Sequence, residues 1–256
     1  MSVRRLAITA VHGLPEIRPG DDLAALIASA VRAQGDDLRD GDVLAVAQKI
    51  VSKSEGRSIE LASVKPSERA IKLAAEVQKD PRLVELILSE SVRVVRSRPN
   101  VLIVEHKRGW VMANAGIDQS NVGPTDGVER ALLLPIDPDG SANKIRTRLS
   151  ELLGAAPAVI ITDSFGRAWR RGTQGIAIGA AGLPALLDLR GNPDLFGRTL
   201  QVSISGFADE IAAAASLVQG QGNEAQPAIL VRGLTWNAPD NPASELVRPA
   251  AEDMFR

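Results

Sequence analysis

Two aspartates each follow an apolar run and stand among small or polar residues: Asp118 in NAGIDQSN and Asp163 in VIITDSFGR. Carboxylates in such positions are natural ligands for magnesium or manganese. These hard cations take oxygen donors, use only one or two carboxylates, and fill the remaining positions with hydroxyls, amides, water and phosphate. Ser164, next to Asp163, fits such a shell. A lone Asp near Gly more often caps a turn or forms an Asx-turn; it is the two together that point to a cation. Directly downstream, GRAWRRG gathers Arg167, Arg170 and Arg171. Planar guanidinium groups grip phosphate or carboxylate through paired hydrogen bonds, so these arginines point to a polyphosphate or acidic substrate. A solvated charged loop is the other reading.

Two glycine-bearing stretches could let backbone approach a ligand. GTQGIAIGAAG, Gly172 to Gly182, reads equally as close packing around a buried turn. QGQGNEAQP, Gln219 to Pro227, has dinucleotide-loop spacing but follows a helix and precedes a strand, the reverse of a Rossmann fingerprint. It is kept as a phosphate cradle. No GxxxxGK[ST] or GxSxG motif occurs. The two histidines, His12 and His106, lack partners at metal-ligand spacing, which argues against zinc. His12 adjoins the Gly13–Leu14–Pro15 turn and is placed to touch a ligand, whereas His106 reads as structural. With no cysteine there are no thiolate nucleophiles or disulfides.

The elements that must hold these residues alternate between short β-branched runs and Ala- and Leu-rich helical stretches, which predicts a mixed α and β chain. Residues 23–33 read as a helix capped by Asp21 or Asp22, and residues 42–53 as a buried strand whose far end carries Gln48, Lys49, Ser52 and Lys53. Helices are predicted at 66–77, 81–92, 141–153 and 209–218. A hairpin joins 101–105 to 110–113, and further strands lie at 158–162, near 200–205 and at 228–231. Across 256 residues, 30 Lys and Arg against 31 Asp and Glu give a net charge of -1, so no general field attracts nucleic acid or an anionic membrane. Aromatic residues at 3% provide few stacking surfaces for single strands. No apolar run approaches the roughly 20 residues that cross a bilayer, and the start does not read as a secretory signal, so the cytoplasm is the expected compartment.

Taken together the segments resemble one family, the coenzyme F420-0:L-glutamate ligases. The likeness runs through GLPEIRPGDDL, DGDVLAVAQKIVSKSEGR, PSERA, NAGIDQSNV, LLLPIDPDGSANKIR, VIITDSFGRAWRRGTQGIAIG, DLFGR, ADEIAAAASLVQGQG and PAILVRGL. The resemblance implies an α+β fold of the family's own type, mixed sheets with flanking helices, in an intertwined homodimer. It implies one catalytic domain over 1–256 without the flavin-binding, nitroreductase-like domain of longer relatives. It further implies GTP as co-substrate, two divalent cations (Mg2+ or Mn2+), and a monovalent cation such as potassium.

The reaction implied is addition of L-glutamate to the lactyl carboxylate of F420-0 through an acyl phosphate, with a further γ-linked glutamate to follow. Carried over by motif, Asp118 and Asp163 are ligands of one metal, and Ser164 and Gln221 belong to the second. Some relatives have Thr and Glu at the latter two positions, so a neutral Gln221 implies weaker hold on the second metal. The nucleotide is expected against Leu14, Pro15, Glu16, Ile17, Gln48, Lys49, Lys53 and Asn121. The same cradle takes in the loop of Gln219, Gly220, Gln221, Gly222, Asn223, Glu224, Ala225 and Gln226. Lys53, Arg167 and Arg170 are the expected catalytic cations. The rival readings are a ligase for another acidic acceptor and a non-catalytic sensor of GTP and metal.

Overall fold

The computed structural model describes residues 5–123 and 126–254. In chain order come β1 (Ala7–Ala10), α1 (Leu23–Ala33), β2 (Val43–Ala47), α2 (Gln48–Ser54) and β3 (Ser58–Glu60). They are followed by α3 (Glu68–Val77), α4 (Pro81–Ser89), β4 (Ser91–Arg98), β5 (Val101–His106), β6 (Val111–Ala113) and β7 (Arg130–Leu132). The last third holds α5 (Pro138–Leu153), β8 (Ala158–Gly166), β9 (Thr173–Ala181), β10 (Leu187–Asp188), β11 (Ile204–Ser205), α6 (Phe207–Gln219) and β12 (Ala228–Arg232).

A five-stranded sheet in the order β1-β12-β2-β8-β9 forms the centre. Its β2–β8 pair is parallel and its other pairs are antiparallel. Both faces are covered, which is why its inner strands read as continuous apolar runs without polar alternation. Leu44, Val46, Val159 and Ile161 pack into one core with α1 and α5, while Val43, Ala45, Ala158 and Ile160 pack into another with α6. A third core joins α3 and α4 to β5 and β7, beside a three-stranded sheet β4-β5-β6 and the pair β3-β7. The expected mixed α+β class is what the molecule shows.

Several elements match their sequence signals residue for residue. The Asp22 side chain accepts from Ala25 N and caps α1, Asp80 caps α4 with Pro81 in its first turn, and Gly154 ends α5. Other elements correct the expectation. The predicted strand 42–53 stops at Ala47, and its polar end is the helix α2. The helix predicted over 81–92 ends at Ser89, because the β-branched run from Ser91 pairs with β5. The strand near 200–205 shrinks to Ile204–Ser205.

The largest correction is the glycine-rich stretch, which is the edge strand β9. A Cβ at Gly175 would run into the Ala212 carbonyl of α6, and one at Gly179 into the Pro138 backbone of α5. Those glycines let two helices close on the strand from opposite sides. The close-packing reading was therefore right in kind, and the turn it assumed was wrong.

Candidate functional site

β2 and β8 are parallel, and their pairing ends where Ala47, the carboxyl end of β2, lies beside Thr162. Crevices at the carboxyl ends of parallel strands are the usual place for ligands in sheets covered by helices. Here a cavity of about 480 Å3 opens at that point, within the size range of small-molecule sites.

α2 begins where β2 ends and presents Gln48, Lys49, Ile50 and Lys53 to the cavity. The helical turn is what brings Lys49 and Lys53 together: four residues apart, they are neighbours on one face, whereas a strand would hold them about 13 Å apart. Ser52 Oγ donates to Gln48 Oε1 at 3.0 Å and fixes that amide. Leu14, Pro15 and Glu16, following β1, form another side.

The loop 219–227 between α6 and β12 closes the cavity. Gly220, with φ of 74°, turns it out of the helix, and Gly222 N donates to Glu224 Oε2 at 2.7 Å. Asn121 Nδ2 donates to Gly222 O at 3.2 Å, tying the loop to the segment that follows Asp118.

The oxygen ligands expected for metal come from three places in the sequence. Asp163 and Ser164 lie in the cavity wall, inside β8 rather than beyond its end. Ser164 Oγ donates to Gln221 Oε1 at 2.8 Å, which brings two expected ligands face to face although they are 57 positions apart. Asp118 is held by a reciprocal backbone pair with Leu132. It reaches the cavity through Lys49, whose Nζ is 2.6 Å from its Oδ2, while Ser120 donates to Oδ1 from its N and its Oγ.

A tight turn aims Asp118. Asn114, Ala115 and Gly116 all have positive φ, at 53°, 54° and 70°. A Cβ on Gly116 would stand 2.6 Å from Leu134 Cδ1.

The electrostatics differ between the two aspartates. Burial pushes the Asp118 carboxyl up, but hydrogen bonds from Lys49 and Ser120 outweigh it and hold the pKa below the usual value. For Asp163 burial dominates, the negative charge of Asp118 adds to it, and the Ser164 N–H offsets only part, so its carboxyl is pushed up to about 7. No group of three acidic or histidine side chains able to hold a metal occurs among the described residues. Two carboxylates with neighbouring hydroxyl and amide oxygens nonetheless match what magnesium or manganese takes when phosphate completes its shell.

Some expected site residues lie elsewhere. Ile17 is buried in the core with α1, because its side chain is aliphatic and faces inward. Arg167, Arg170 and Arg171 belong to the turn between β8 and β9, beyond the last pair Gly166↔Thr173, and are absent from the cavity wall. Arg170 and Arg171 are exposed, while Arg167 is half-buried with a guanidinium nitrogen that has no partner. His12 is exposed outside the cavity wall. His106 is buried between strand and turn, its Nδ1 accepting from Arg108 N at 3.0 Å.

Thr162 and Ser216 line the cavity without having been expected there, and so does Gly175, from the glycine-rich stretch that could let backbone approach a ligand. Ser216 had a readable signal: it lies one helical turn before Gly220.

Fold and site thus define a mixed α+β protein whose central sheet opens a cavity lined by two lysines, an aspartate, and hydroxyl and amide oxygens. The sequence profile of the F420-0:gamma-glutamyl ligase family matches residues 13–233. Among curated proteins, the coenzyme F420:L-glutamate ligase of Methanothermobacter thermautotrophicus is 46% identical over 98% of this chain and 99% of its own length. The enzymes of the same name from Archaeoglobus fulgidus, at 47% over 98% of this chain and 97% of theirs, and Methanopyrus kandleri, at 46% over 94% of each, are comparably similar. The chain belongs to the F420-0:gamma-glutamyl ligase family.

Proposed function

We propose that this protein is a GTP-dependent ligase that joins the amine of L-glutamate to the lactyl carboxylate of coenzyme F420-0, and that it adds a further γ-linked glutamate. The observation that carries this reading is the convergence on one cavity of Asp163, Ser164 and Gln221 with Lys49, Lys53 and the 219–227 loop. Family membership and the names of the relatives supply the substrate class.

A carboxylate is a poor electrophile and must be activated before an amine can attack it. In the first step, an oxygen of the acceptor carboxylate attacks the γ-phosphorus of GTP, and the bond to GDP breaks as an acyl phosphate forms. In the second, the glutamate amine attacks the acyl carbon, phosphate leaves, and the amine loses its proton. No protein nucleophile is needed, and none is evident in the sequence.

Phosphoryl transfer relies on positioning and on neutralising charge. The ammonium groups of Lys49 and Lys53 hold phosphate oxygens, and the loop backbone from Gly220 to Gln226 encloses the nucleotide. Asp118, Asp163, Ser164 and Gln221 would hold two divalent cations, which supply charge neutralisation to the triphosphate. Arg167 and Arg170 fit this scheme less directly. Lying on the β8–β9 turn, they would meet the acidic part of a substrate rather than the nucleotide.

Mass spectrometry of an incubation with GTP, F420-0, L-glutamate and Mg2+ or Mn2+ tests the proposal. A glutamyl adduct and GDP, each dependent on all three substrates, are expected; absence of the adduct while GTP is bound would overturn it.

A homodimer belongs to the same proposal. Leu195, Phe196 and Val202 are 91%, 86% and 84% exposed on the excursion between β10 and β11, an apolar arm that a second copy would cover.

A further inference from the structure

A second cavity, of about 230 Å3, lies along the outer edge of β9. Trp110, Val111, Phe165, Ile176 and Val247 make its walls mainly apolar and aromatic. Trp110 meets Phe165 edge to face with ring centroids 6.4 Å apart. The exposed Arg248 adds a guanidinium to the rim. Two carboxylates also face the space. One of them, Asp209, is engaged by the Ala177 N–H at 2.8 Å, and the other is Asp253. Such walls disfavour a compact polyanion. They suit a flat, largely apolar ring system carrying an anionic arm, since aromatic faces and edges supply most of the contact.

The position of this cavity ties it to the first one. Phe165 is two residues beyond Asp163 on β8, so the two side chains share a strand face about 7 Å apart. Ile176, in the same wall, sits directly across from Asp163. Through Phe165, the Trp110 ring and Asp163 thus stand within about 13 Å of one another. In the acceptor named above, a tricyclic deazaflavin ring is separated from the reacting carboxylate by a phosphorylated polyol and a lactyl unit. That arm is on the order of ten bonds, roughly 12 Å when extended. An arm of that length can bridge the aromatic wall and Asp163.

We propose that this second cavity seats the ring of the acceptor, with Trp110 and Phe165 as its aromatic wall and Arg248 meeting the anionic arm. The arm then runs along β8 and delivers its carboxylate to Asp163. This rests on the ligase reading, and the test separates the two. F420-0 itself is titrated into the protein in the presence of Mg2+, and binding is followed by the deazaflavin absorbance and by calorimetry, with GTP titrated in parallel.

Wild type should bind F420-0, and Trp110→Ala should weaken that binding at least tenfold, with Trp110→Phe recovering most of it. GTP affinity should stay within about twofold throughout. Trp110 packs against the core, so Val111→Glu and Arg248→Ala, both at exposed positions, provide variants that leave the core intact. Each should raise the F420-0 dissociation constant and KM several-fold. Wild-type binding of F420-0 that all four variants match overturns the cavity assignment and leaves the ligase reading standing. No F420-0 binding by wild type, with GTP still bound, overturns both.

Discussion

Asp163 carries the most specific prediction at the scale of single residues. Its pKa is raised above the ordinary value of 3.8, so in the metal-free fold its ionisation costs stability as pH rises from about 4 to about 7. Asp163→Asn removes that cost. The variant should therefore melt at a higher temperature than wild type at pH 8 without metal, while losing both metal-induced stabilisation and product formation. Differential scanning calorimetry with and without Mn2+ decides it, and a variant that still gains stability from metal would exclude Asp163 as a ligand. Because a proton competes for the same carboxylate, metal affinity in wild type should fall towards tenfold per pH unit below about pH 7.

His106 works in the opposite direction. Burial, with Arg108, Lys107 and Arg57 nearby, pushes its imidazole down to about 4. A histidine depressed on folding favours the native state above the unfolded value near 6.5, and that contribution is lost as pH falls towards 4. Glu90 lies 3.9 Å from Nε2, but a neutral ring makes this a contact rather than an ion pair. Acid unfolding curves for His106→Gln should be flatter between pH 6.5 and 4 than those of wild type.

Among the elements, the turn before Asp118 and the glycines of β9 are the critical joints. Gly116→Ala would put a Cβ against Leu134 and Met112 in a left-handed backbone conformation. The strain and overpacking together should destabilise the fold by about 2–4 kcal/mol and shift Asp118, which chemical denaturation and activity would both report. The α2 joint matters for a different reason. Both Lys49 and Lys53 face the larger cavity from one short helix. Lys49→Ala should raise the GTP KM and leave Asp118 without its cation, while Lys53→Ala should raise the GTP KM without disturbing Asp118. Kinetics at saturating F420-0 and glutamate distinguish the two variants.

For the molecule as a whole, the exposed arm between β10 and β11 predicts association. Sedimentation equilibrium should give a species of about 54 kDa, twice the 27.1 kDa chain mass, and Phe196→Glu should shift it towards one chain. A sharp 27.1 kDa species for wild type at micromolar concentration would exclude the dimer. No helix among the described residues is long and apolar enough to cross a membrane.

Local chemistry was legible in the chain wherever one residue type has one physical job. Asp22 and Asp80 as caps, Gly154 as a stop and the buried runs of β2, β8 and β12 were readable, because capping and burial depend on near neighbours in sequence. The grouping of Asp118, Asp163 and Ser164 with polar and small residues was visible too, and the fold puts Asp163 and Ser164 in one cavity wall. Tertiary structure decided the rest. The parallel pairing of β2 with β8 sets α2 beside Asp163, the bridge to Leu132 holds Asp118 where Lys49 meets it, and the pairing of β12 with β2 brings the 219–227 loop to the same cavity. The residues from Gln48 to Ser54 turn helical, although the apolar run before them reads on as strand. Thr173–Ala181 becomes a strand despite its glycines because helices on both sides need the space that those glycines leave. The placement of Arg167 and Arg170 followed from where the β8–β9 hairpin turns, a length that no local signal specifies.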